Sequence, residues 1–153
     1  MIQTLIELLN EARLMELEAA DQYRVHYFEL ENKGFDQFAS KMKEMARVEM
    51  GHAEKLAERI LSLKGEPILE SNKVPKKGQD IPEMLDTCMA LKEKTVRLYQ
   101  EALVISVSEN DPKSKDLFKE FLFDEEGQLR FFKNIKEHVN QHGVAYMASL
   151  RGK

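Results

Sequence analysis

Six side chains in this sequence could do chemistry together: Glu16, the pair Glu49 and His52, Lys92, and the pair Glu125 and Gln128. A Glu-x-x-His pair projects two ligating groups from one face of a helix, a spacing that suits a carboxylate-bridged pair of iron ions. A complete site of that kind takes two such pairs and two single glutamates. Here the second pair reads Glu125-x-x-Gln128, and Lys92 stands where the second single glutamate would be. Three carboxylates and one ammonium make a formal charge of about −2, enough to balance one divalent ion at most. The same groups can also satisfy one another without metal, Lys92 pairing with Glu125 or Glu16 and Gln128 supplying an amide.

Each of these residues interrupts an apolar stripe that advances in steps of three and four, the signature of a buried helical face. The stripes run Leu5, Leu9, Ala12, Glu16, Ala19, Tyr23; then Phe38, Met42, Met45, Glu49, Ala53, Leu56, Ile60; then Met84, Cys88, Lys92, Thr95, Tyr99, Ala102; then Phe118, Phe121, Glu125, Gln128, Phe132, Ile135. Glu16 lies about 17 residues before the break at Lys33-Gly34 and Glu49 about 15 after it. Lys92 lies about 18 before Asn110 and Glu125 about 15 after it. At a rise of about 1.5 Å per residue the four depths agree within a few ångströms, which predicts one buried polar layer. Buried carboxylates cost several kcal/mol each unless paired or metal-bound.

The breaks set the architecture. Lys33-Gly34 and Asn110-Asp111-Pro112 are short, with Asp111 placed to cap a helix that Pro112 begins. Between about Gly65 and Pro82 lies one long irregular stretch marked by Gly65, Pro67, Pro75, Gly78 and Pro82. Gly143 closes the fourth long segment, and Val144 to Leu150 is expected to form a short fifth helix. The expectation is an all-α four-helix bundle in a single domain over residues 1–153, its two helical hairpins joined by a crossover that runs the length of the bundle.

The bulk properties fit a soluble globular chain. It has 153 residues, 42% hydrophobic and 33% charged, with a net charge of −4, so nothing calls for nucleic acid. No apolar run is long enough to span a bilayer, and the first ten residues lack the basic start of a secretory signal. The one cysteine, Cys88, fits a reducing cytoplasm. Cys88 is expected in the core, and His26, His138 and His142 on the surface or in packing. The charge-rich stretch Lys73 to Lys77 is expected to be a solvated loop.

Longer strings carry a resemblance to a family. They are Val48-Glu49-Met50-Gly51-His52-Ala53-Glu54 with Glu58 to Gly65, Glu16 to Tyr23, and Asp124-Glu125-Glu126-Gly127. Along essentially its full length the chain resembles the bacterioferritins, which have the ferritin-like bundle. The resemblance implies a hollow homo-oligomeric shell in the cytoplasm that oxidises Fe(II) and stores a ferric mineral. It matches Glu16, Glu49, His52 and Glu125 to iron ligands, Lys92 to a bridging glutamate and Gln128 to a second histidine. It matches Met50 to the methionine that ligates haem b across a two-fold axis. Being next to Glu49, Met50 turns away from the layer, and Gly51 beside it leaves room for a flat ligand. The expected function is iron storage with haem and with an impaired or absent ferroxidase centre, alone or beside an active subunit. The alternatives are an active ferroxidase with a rearranged site, or a bundle that keeps only the fold.

Overall fold

The protein is described here by a computed structural model, which covers residues 2–149. Four long helices carry the fold: α1 (Ile2–Asn32), α2 (Asp36–Ser62), α3 (Ile81–Ser108) and α4 (Pro112–His142), followed by a 3₁₀ helix over Val144–Ser149. The expected short fifth helix is thus present in 3₁₀ form, and its expected end at Leu150 lies outside the described residues. Among the described residues no helix is long and apolar enough to cross a membrane.

The turns follow from local chemistry. After α1, Gly34 takes φ +87°, and the N–H of Phe35 donates back to the Leu30 carbonyl at 3.0 Å. This left-handed stop costs a glycine little, for want of a Cβ. After α3, Asn110 takes the left-handed position at φ +55°, and the Asp111 N–H closes onto the Ser106 carbonyl at 2.9 Å. After α2 the left-handed residue is Lys64, at φ +69°, and the glycine follows it. Gly65 serves close approach instead: a Cβ there would meet Ile6 Cγ2 at 2.8 Å and Ile60 Cγ2 at 3.0 Å.

The crossover is strapped to α1 rather than left free. Asn10 donates to the Glu66 carbonyl and accepts from Ile68 N–H. Arg13 donates to the carbonyls of Ile68 and Ala53. Gln22 holds Lys76, and Glu29 accepts from Gly78 N–H. Asp80 then starts α3 with a capping box, accepting from Glu83 N–H while Glu83 accepts from Asp80 N–H.

The core is two apolar clusters stacked along the bundle. One holds Tyr23, Phe38, Met42, Met84 and Phe132, the other Leu5, Leu9, Leu56, Tyr99 and Phe118. The polar residues of all four stripes lie between them. Contacts on either side show α3 running antiparallel to α1 and α4 antiparallel to α2: Glu16 meets Tyr99 while His26 meets Cys88, and His52 meets Asp124 while Arg59 meets Asp111.

Asp111 joins the end of α2 to the start of α4. Its carboxylate accepts from Arg59 Nη2 at 2.7 and 2.9 Å and caps α4 through Ser114. Burial works against this carboxyl, but the Arg59 guanidinium and Ser114 hold it below its usual range. Asp111→Ala removes the cap and strands Arg59, so it should cost about 2–4 kcal/mol, or roughly 5–15 °C in Tm. Thermal unfolding checks this, and Asp111→Asn, which keeps the cap, should recover part of the loss.

Candidate metal centre

The layer is assembled from one helix after another. Glu16 of α1, Glu49 and His52 of α2, Lys92 of α3 and Glu125 and Gln128 of α4 are all buried. Lys92 Nζ lies 2.6 Å from Glu125 Oε1 and 2.9 Å from Glu49 Oε2. Gln128 Nε2 donates to the other oxygen of Glu49 at 2.8 Å, and Tyr23 donates to Gln128 Oε1 at 3.1 Å. Lys92 Nζ also sits 5.2 Å from the centre of the Tyr23 ring. Around Glu16 a second set forms. Its Oε2 accepts from Tyr99 at 3.0 Å and lies 2.5 Å from His52 Nδ1, while His52 Nε2 lies 2.8 Å from Asp124 Oδ2. The imidazole stacks on Phe121 at 4.1 Å between centroids.

Three carboxyls at one level cannot all be anionic beside a single ammonium in a dry interior. Burial raises Glu49, but the Lys92 ammonium outweighs it and brings the group down to about 2. Burial, then the nearby carboxylates, lift Glu16 and Glu125 well above the carboxylate range. Burial works against the charge on Lys92, and Glu125 and Glu49 more than offset it, holding the ammonium well above its usual value. Lys92 touches two carboxyls, yet Glu49 is the anion: both of its oxygens accept hydrogen bonds. Glu125 Oε2 and Glu16 Oε1 have no hydrogen-bond partner. The layer therefore pairs the Lys92 ammonium with Glu49, while burial and the neighbouring carboxylates favour the protonated forms of Glu16 and Glu125.

One ligand atom each from Glu16, Glu49, His52 and Glu125 lies within 4.8 Å of the others, so the cluster has the dimensions of a metal site. It does not fit a pair of iron ions. The ammonium stands between the two carboxylates that would face a second ion, and Gln128 turns its N–H₂, not its oxygen, toward Glu49.

A ferritin-like domain model matches residues 6–141 of the chain. A bacterioferritin of Desulfovibrio desulfuricans is 33% identical over 147 residues, covering 96% of this chain and 82% of that protein. One of Rhodobacter capsulatus is 36% identical over 145 residues, covering 93% and 90%. The chain belongs to the bacterioferritin family. Two solved bacterioferritins superpose on the whole bundle. That of D. desulfuricans gives a TM-score of 0.92 at 32% identity, over 99% of this chain and 89% of the other, and was determined for its diiron site in different catalytic states. That of R. capsulatus gives 0.91 at 33%, over 99% and 94%, with a metal-free dinuclear site and haem iron in a crystallographic special position.

Within this bacterioferritin fold, the residues expected in the layer all meet there. The expected partner for Lys92 was Glu125 or Glu16; the structure keeps Glu125 and puts Glu49 in place of Glu16. Met50 sits outside the layer, 37% exposed, on a concavity of about 620 Å³. Glu93, one step from Lys92, is exposed as its helical angle requires. Asp124, Tyr23 and Tyr99 complete the layer's hydrogen bonds, and only the two tyrosines carried a stripe signal. Asp124 precedes Glu125 and lies about 100° off the stripe.

His26 belongs to packing rather than to the surface. It is buried beside Gln22, Gln79 and Cys88, and burial lowers its basicity. Cys88 is buried as expected, its thiol pushed far up by burial. His138 and His142 are exposed, and His138 stacks on Tyr146 at 4.8 Å.

Replacing Lys92 by methionine should leave Glu49 with no cation and cost about 3–5 kcal/mol at neutral pH. Glu49 at about 2 stabilises the wild type at every pH above 4.5, and that contribution fades only as pH falls toward 2. Without the ammonium, burial raises the group, and stability then drains away as pH rises above 4.5. The deficit of Lys92→Met against wild type should thus be smaller at pH 5 than at pH 8 in paired thermal melts.

Proposed function

We propose that this chain, a single domain over residues 1–153, is the subunit of a cytoplasmic bacterioferritin-type iron store whose intra-subunit site holds no di-iron centre. The observation that carries this reading is the Lys92 ammonium inserted between Glu49 and Glu125. It fills the space of a bridging ligand and repels a second cation at close range. Iron then reaches the interior of a homo-oligomeric shell as substrate, with oxidation left to the mineral surface or to a co-assembled active subunit. A second reading, a ferroxidase using a rearranged site, is favoured by the convergence of Glu16, Glu49, His52 and Glu125 and by their two unpartnered oxygens.

The haem part of the proposal rests on the surface of α1 and α2. Met50 and Gly51 open on a concavity walled by Tyr27 and Phe28, with Arg24, Lys43 and Arg47 at hand. A Cβ on Gly51 would meet nothing within 4 Å, so the groove beside the thioether is open. The donor set fits haem b: a soft sulfur for the iron, apolar rings for the macrocycle and cations for its carboxylates. Haem would supply one-electron chemistry when bound. A thioether from each of two chains across a two-fold axis would complete the site.

Two experiments check these assignments. Stopped-flow mixing with Fe(II) should show oxidation little faster than in buffer, and the double variant Lys92→Glu, Gln128→His should gain a rapid first phase of two Fe(II) per subunit. A two-iron phase in the unaltered protein would favour the ferroxidase reading. Met50→Leu should abolish the haem absorption of protein expressed with haem supply while circular dichroism stays unchanged. Retained haem would refute the ligand.

A further inference from the structure

A second concavity lies on the opposite side of α1, under the crossover, with a volume of about 150 Å³. It is several times the roughly 30 Å³ that a liquid water occupies. Its lining includes three lysines, Lys73 and Lys76 from the crossover and Lys94 from α3, against one acidic residue, Glu18 of α1. Among the described residues no carboxylate lies in ion-pair distance of any of the three lysines. The three lysines are exposed, and together they give the rim of the cavity a positive potential that favours an anion.

The cavity is also built rather than incidental. Gln22 fixes the backbone of Lys76 at two points, accepting from its N–H and donating to its carbonyl, both at 2.8 Å. Pro75, next to it in the wall, has its φ set by its ring. The lining also includes Met15 and Leu91, the sequence neighbours of Glu16 and Lys92. Its charge has the wrong sign to lead Fe(II) inward and the right sign to hold an anion.

We propose that this cavity binds a small tetrahedral oxyanion of the phosphate class, held by Lys73, Lys76 and Lys94. Lysine suits the task as a compact point charge with three donors on a long stem, able to converge on an oxyanion from different elements.

Titration calorimetry of iron-free full-length protein with inorganic phosphate, at constant ionic strength in chloride, tests this. Using iron-free protein removes phosphate adsorbed on ferric mineral as a source of heat. Saturable binding of about one phosphate per chain is expected. The triple variant Lys73→Gln, Lys76→Gln, Lys94→Gln should weaken it at least tenfold, and Lys77→Gln, outside the cavity, should leave it within twofold. No saturable heat, an unchanged triple variant, or an equal loss in Lys77→Gln would overturn the proposal.

Discussion

The structure depends on how a single ammonium is accommodated in the middle of an apolar bundle. Lys92 has no access to solvent, and taking an ion out of water costs several kcal/mol even after relaxation. That cost is offset only where carboxyl groups from other helices arrive at the same height. Glu49 comes from α2, Glu125 and Gln128 from α4, and His52 links α2 back to Glu16 on α1. A slip of any helix by one turn, about 5.4 Å, would break these contacts and leave charge unpaired in the core. The layer therefore sets the register of the four helices, and the two apolar clusters pack above and below it.

The same arrangement decides the chemistry. An iron pair would need carboxylates that are anionic and free to bridge. Here one carboxylate is committed to Lys92 and Gln128, and burial favours the protonated form of the other two. The haem proposal is insulated from this arrangement. Met50 follows Glu49 in sequence but lines the outer groove, so α2 presents the layer on one side and an open groove on the other. A subunit can lose the first without disturbing the second.

Much of this was legible in the sequence because helical periodicity and depth are arithmetic. Counting from Lys33-Gly34 and from Asn110 put Glu16, Glu49, Lys92 and Glu125 at one level, and Asp111-Pro112 marked the start of α4 to the residue. Periodicity gives height and face, and it does not choose among acceptors within a cross-section. Three carboxyls lay within reach of Lys92, and side-chain packing gave it Glu49 in place of Glu16. Asp124 carried no periodic signal because it is off the stripe and half-buried. Lys73 to Lys77 is the exposed loop that its charge suggested, and the strap that Gln22 makes to the Lys76 backbone carried no sequence signal. Val144–Ser149 was visible as a short helical run after Gly143.

The central claim is that the ammonium of Lys92 excludes a di-iron centre from this bacterioferritin fold. The most direct test is a crystal soaked in Fe(II) without oxygen, with anomalous difference maps recorded on both sides of the iron edge. The account predicts at most one peak among Glu16, Glu49, His52 and Glu125, with Lys92 Nζ still in contact with Glu49. Two iron peaks bridged by Glu49 or Glu125, with the Lys92 side chain displaced, would contradict it.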